Sequence, residues 1–149
     1  LNAWGRFTKE YNCWDLNPND PLYAEIQRVF LKTQKEMFGQ DTHIYGGDPF
    51  NEVDPPMWDA QDLESAAKKT YESIAESDPD AVWLQMAWLF WHKKKNWTND
   101  LVKAYLSPVP KGKLLMLDRE LVGIDEEAEN AHILEASKKL WKSLNHKEY

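Results

Sequence analysis

Residues 81–87, AVWLQMA, are the stretch that most narrows the fold. An apolar run of this length, interrupted only by Gln85, predicts a strand buried on both faces, as strands of parallel sheets under helices are. THIYGG, residues 42–47, predicts a strand before it. LLMLD, residues 114–118, predicts a strand after it, ending in the carboxylate Asp118. Helical patterns separate the three. Asp20 as N-cap and Pro21 at the first helical position open a helix that Gly39 stops, with Leu22, Ile26, Val29, Phe30, Met37 and Phe38 along one side. A second helix is expected from Asp59 to Ser77, with Leu63, Ala66, Ala67, Thr70, Tyr71 and Ile74 on its inner face. Thr98 or Asn99 can cap a short helix reaching Leu106, and SPVPKGK (107–113) is a turn. Asp125 can cap a last amphipathic helix, with acids in its first turn and lysines in its last. Residues 1–20 show neither period and predict a long structured loop.

This alternation of helix and strand means parallel strands joined by right-handed helical crossovers. The expected fold class is therefore α/β, one unit over 1–149 in which 121–149 adds an extra C-terminal amphipathic helix. With 149 residues, 29% of them charged and 42% hydrophobic, the composition is that of a globular domain. A net charge of -7 argues against nucleic acid as a partner. The lysines of HKKKNW read as a solvated edge. No run approaches the roughly 18 apolar residues that span a membrane. The single Cys13 excludes an internal disulfide and a cysteine-rich metal site and leaves the redox compartment open. No cofactor and no metal are called for. Asn96-Trp97-Thr98 fits the N-glycosylation pattern, with chance as the plainer reading. A chain starting at Leu1 is expected to be processed, trimmed or excised from something longer. The eight tryptophans divide between core and flat faces on which sugars pack, with core weighted first.

In parallel α/β folds, sites gather at the carboxyl ends of strands. Here those ends are Asp48 to Glu52 for the first strand, Gln85 to Trp88 for the second with Trp91 and His92 close by, and Asp118 for the third. Each polar group has a plainer reading: Asp118 as a helix cap, Gln85 as a satisfied buried amide, His92 as a surface residue. The Asn51-Glu52 pair resists one, because Val53 and Pro55-Pro56 stop a helix from starting at once. A carboxyl group beside an amide suits glycoside hydrolysis, in which an acid protonates the leaving oxygen and the amide holds the sugar's 2-substituent. Burial near Tyr45, Phe50 and tryptophans would keep Glu52 protonated, as a general acid requires.

YGGDPFNEVDPP, AVWLQMAWLFWH and VPKGKLLMLD resemble, in order and approximate spacing, successive blocks of the α-N-acetylglucosaminidases, glycoside hydrolase family 89. WGRF and NPNDPLYAEI are similar to the segment before them. The resemblance covers residues 4 to 118, so that 1–120 look like the middle of the family's catalytic (β/α)8 TIM barrel, while 121–149 carry no such likeness. It implies retaining hydrolysis of terminal α-linked N-acetylglucosamine, in animals from heparan sulfate in lysosomes. A carbohydrate ending in that sugar is then the partner. The location implied is lysosomal or secreted, with the Asn96 sequon as secondary support. The resemblance puts Glu52 at the general acid/base position and Asn51 at the sugar-contacting residue before it. Tyr45, Gln85, Trp88, His92 and Asp118 are expected to line the pocket.

Two departures stand beside the resemblance. A retaining enzyme needs a second carboxylate about 5–5.5 Å from the first, and no segment after Asp118 carries the family's nucleophile. Glu126, Glu127 and Glu129 fall on the expected amphipathic helix. A complete barrel needs about 250 residues and eight strands, against three strands here. The remainder would come from another chain, from a longer precursor, or be absent. The alternative to an incomplete enzyme is a non-catalytic scaffold or interaction module derived from such a barrel.

Overall fold

The computed structural model describes residue 10, residues 14–39, 42–51 and 53–117. Cys13, Glu52, Asp118 and the helix expected over 125–149 lie outside the described residues.

The first helix, α1 (Pro21–Phe38), begins as its sequence dictates. The Asp20 side chain accepts the Leu22 N–H, Pro21 sits at the first helical position, and Gly39 ends the helix at φ 70°. The segment before it is tied to the second helix, α2 (Ala60–Ala75), through one asparagine. Asn19 donates to Asp62 Oδ1 (3.0 Å), accepts from Ser65 Oγ (2.7 Å) and receives Lys69 Nζ on its carbonyl (3.0 Å). α2 is capped by Asp59, which accepts from Gln61 N–H and Asp62 N–H. Its inner face is the one expected: Leu63, Ala66, Ala67, Thr70, Tyr71 and Ile74 are all buried.

Among the described residues, three parallel strands form one sheet in the order β1 (Ile44–Gly46), β2 (Val82–Met86), β3 (Leu114–Leu117). A five-residue helix, α3 (Trp88–His92), follows β2, and α4 (Asn99–Leu106), capped by Thr98, leads back to β3. Parallel strands alternating with helices in chain order are the arrangement of a (β/α)8 barrel segment, here with the sheet left open.

Register makes the two faces of the sheet unlike. Tyr45 pairs with Trp83 and Trp83 with Leu114, while Gln85 pairs with Met116. These side chains share the face covered by helices, where Trp83 and Gln85 are 0% exposed. On the other face Ile44, Met86, Leu115 and Leu117 are all more than a third exposed. The expectation that residues 81–87 are buried on both faces is therefore corrected. Burial alternates along β2, because the described residues put helices on one face only. β1 is also shorter than 42–47, since His43 turns into it at φ 59°. The apolar side of α1 is uncovered: only Leu31 is buried, and Phe30, Met37 and Phe38 are more than 60% exposed.

Tyr105 of α4 is the centre of the core. It is 0% exposed, and its ring lies 5.4–6.2 Å from those of Trp97, Trp83, Phe50 and Phe90. Burying aromatic side chains of this size is the largest apolar contribution a small unit can make. Trp83 also donates its indole N–H to the Gly47 carbonyl at 2.7 Å. A methyl group on Gly47 would stand 3.1 Å from that nitrogen, whereas one on Gly46 would meet open space. Gly47→Ala is expected to cost about 1–3 kcal/mol and Gly46→Ala much less. Urea unfolding of both variants checks this, and equal losses would show that the indole does not set the fit.

Candidate active site at the carboxyl edge of the sheet

The parallel ladder ends in an exchange of partners. Val82 N–H bonds to the His43 carbonyl at 2.7 Å. Two steps on in each strand, Met86 N–H would meet the Gly47 carbonyl. That carbonyl instead takes the Trp83 indole, and Met86 N–H turns to Asp48 Oδ1 at 3.0 Å. A side chain thus replaces a backbone acceptor, and the chain after β1 is free to leave the sheet. It does so in a turn closed by Asn51 N–H on the Asp48 carbonyl, 3.2 Å. Pro49, which has no N–H to contribute to a ladder, follows Asp48 directly.

Asp48 is half-buried and has a second partner, the Nε2 of Gln85. Burial pushes its carboxyl above the usual aspartate range, and the bonds from Met86 N–H and Gln85 pull it part of the way back. The Gln85 amide is complete: Nε2 also donates to the Met86 carbonyl (3.0 Å), and Oε1 accepts the Tyr105 hydroxyl (3.2 Å). Burial, with the Asp48 charge as a smaller cause, raises the Tyr105 phenol well above its ordinary value, so it stays a donor. Asp48 also lines an open pocket of about 280 Å³ together with Asp15, Tyr23, Gln27 and Pro49.

The edge continues through α3. Trp88 stacks on Trp91 with centroids 4.8 Å apart and on His92 at 5.7 Å. Trp88 is half-buried and His92 exposed. Lys93, just past α3, reaches back 3.3 Å to Asp54 in the segment after β1.

The site residues read from the sequence are thus spread over two environments. Asn51 is exposed on the turn, and Trp88 and His92 share the aromatic stack. Tyr45 and Gln85 lie on the helix-facing side. Gln85 is the satisfied buried amide of its plainer reading, and it meets the carboxyl edge through Asp48 and the Met86 carbonyl. Tyr45 donates its hydroxyl to Asp78 at 2.8 Å. Glu52 and Asp118 lie outside the described residues. Asn96 is exposed in the turn before α4, while Thr98 of the same sequon caps that helix.

Sequence reasoning took Asp48 only as a strand end and passed over Tyr105. The Asp-Pro pair is a turn signal that marks the first. Nothing in the α4 pattern marks the second.

The residues of 1–145 match the family model described as the alpha-N-acetylglucosaminidase (NAGLU) tim-barrel domain. The chain belongs to that family. It is 40% identical over 119 residues to a curated relative, the alpha-N-acetylglucosaminidase of Homo sapiens. The matched stretch is 79% of this chain and 16% of that protein, so the chain spans a small part of its relative's length. It is similar to the glycoside-hydrolase domain of that relative, and the open three-stranded sheet of the described residues is consistent with part of a barrel. No helix among the described residues is long and apolar enough to cross a membrane.

At the opposite edge of the sheet, sequence reasoning also passed over Asp78, which is 6% exposed. Its Oδ2 takes His43 Nδ1 (2.7 Å) and the Tyr45 hydroxyl (2.8 Å), and its Oδ1 takes Asp80 N–H (3.0 Å). His43, Asp78 and Asp80 bring donor atoms within 4.8 Å of one another. The Asp78 oxygens are already used by these bonds, so the group works as a clamp joining the starts of β1 and β2. Burial alone would raise the Asp78 carboxyl, but the bonds from His43, Tyr45 and Asp80 N–H outweigh it and hold it below the ordinary value of 3.8. A depressed carboxylate stabilises the fold above the unfolded value and loses that contribution as pH falls through the folded one. Asp78→Asn is expected to cost about 1–3 kcal/mol at neutral pH. The variant's stability should also fall less than the parent's on going below pH ~4. Urea midpoints measured from pH 7 to pH 2.5 check both, and parallel curves for the two proteins would refute the clamp.

Proposed function

We propose that this chain supplies the acid/base half of a retaining α-N-acetylglucosaminidase site, acting on carbohydrates that end in α-linked N-acetylglucosamine. The observation that carries the reading is the partner exchange at Asp48. It turns residues 48–51, which directly precede Glu52 in the sequence, away from the sheet at the carboxyl edge, where catalytic groups of parallel barrels collect. Glu52 is the general acid that protonates the leaving oxygen and then the base that activates water. Asn51, exposed on the turn before it, holds the sugar's 2-acetamido group. The Trp88–Trp91–His92 stack at the end of β2 offers flat faces to the C–H side of the sugar.

Asp118, the next residue in the sequence after β3, is a candidate pocket-lining carboxylate. Gln85 supports the carboxyl edge from the helix side through Asp48, whereas the Tyr45 hydroxyl is taken up by Asp78 at the opposite edge. A retaining site also needs a nucleophile about 5–5.5 Å from the acid/base, which another chain or a longer precursor would supply. Such an enzyme would work in the lysosome or outside the cell, carrying a glycan on Asn96.

In the complete enzyme, Glu52→Gln is expected to lower kcat/KM on a substrate with a poor alkyl leaving group by roughly 10²–10⁴-fold. On an activated aryl glycoside, whose departure needs no proton, much of kcat/KM should survive. Unchanged rates on both substrates would sink the assignment of Glu52.

A further inference from the structure

The strand-end turn is anchored by a buried polar chain that the hydrolytic chemistry itself does not use. Asp48 holds the turn in two ways: its carbonyl accepts Asn51 N–H, and its Oδ1 accepts Met86 N–H and Gln85 Nε2. Gln85 is held in turn by the Tyr105 hydroxyl, and the Tyr105 ring is wedged among four other aromatic rings. Beyond Gly47, whose N–H still bonds to the Leu84 carbonyl at 3.2 Å, the β1 ladder has been replaced by this carboxylate. The segment that leads into Asn51 and Glu52 thus takes its bearing from Asp48, and Asp48 takes its bearing from the core.

We propose that Asp48, set by Gln85 and Tyr105, is a positioning residue that orients the Asn51–Glu52 pair for proton transfer to the leaving oxygen. The inference rests on Glu52 being the general acid/base. Proton transfer is intolerant of displacement, and an error of about 1 Å in a catalytic group can cost on the order of 10²-fold. Asp48 does not touch the reacting atoms. Its loss acts through the direction in which the turn presents its neighbours.

The test uses the complete enzyme carrying this chain, with Asp48→Ala, Asp48→Asn and Tyr105→Phe measured beside Glu52→Gln. For each, kcat/KM is determined on a poor alkyl and an activated aryl glycoside, and thermal unfolding is followed. Asp48→Ala is expected to lose about 10²-fold on the alkyl substrate and less than about tenfold on the aryl one. Asp48→Asn keeps an oxygen that can accept from Met86 N–H and Gln85, so it should recover part of the loss. Tyr105→Phe should show the same leaving-group dependence more weakly. Should Asp48→Ala fail to fold, Asp48→Asn and Tyr105→Phe decide the matter. Equal losses on both substrates, or none, would overturn the positioning role while Glu52→Gln keeps its dependence. Absence of that dependence in Glu52→Gln would instead overturn the acid/base reading, and the positioning role with it.

Discussion

The side chain of Gln85 is fully buried and must find its hydrogen bonds inside the protein. A buried amide left unsatisfied would cost about 1–3 kcal/mol for each missing partner. Here one group of α4, Tyr105, answers the oxygen, and one group of the β1 turn, Asp48, answers the nitrogen. A single polar residue in the middle strand therefore specifies how a helix, a strand and a loop meet. Purely apolar packing would leave sliding among them open, since hydrophobic contact has no direction. The aromatic rings around Tyr105 provide the energy, and the amide decides the arrangement.

The rest of the unit follows from one covered and one open face. Helices close over Trp83 and Gln85, while Ile44, Met86, Leu115 and Leu117 stay accessible on the other side. In a closed barrel those residues would face the interior, where side chains from alternate strands stack in layers. The apolar side of α1 is uncovered in the same way. The matched stretch is 16% of the length of the human relative, and these surfaces are those that a barrel segment would bury against neighbouring strands.

Much of this was legible in the residues. Asp20, Pro21, Gly39, Asp59 and Thr98 mark helix ends by local chemistry, and each marks one here. The inner face of α2 follows from its spacing alone. The parallel direction of the strands came from alternation, because parallel strands need a crossover and a helix can supply it. What the sequence could not show was which face each strand buries. A continuous apolar run such as 81–87 looks the same whether one face is covered or two. The run also continues into α3, where Leu89 and Phe90 are buried as helix rather than strand. Asp48, Gln85 and Tyr105 are separated by tens of residues, and only the register of β1 on β2 brings the first two together. The block DPFNE, in contrast, could be singled out as a candidate because its residues are consecutive in the sequence.

The two ends of the strands answer differently to acid. Asp48, whose proton affinity is raised by burial, anchors the edge where the chemistry would be done. Asp78, whose proton affinity is lowered by three donors, locks the edge where the strands begin. As pH falls, the first carboxylate gives up its charge before the second. The carboxyl rim of the sheet therefore loses its anchoring charge while the foot still holds its latch, so the two ends of the strands answer to acid separately.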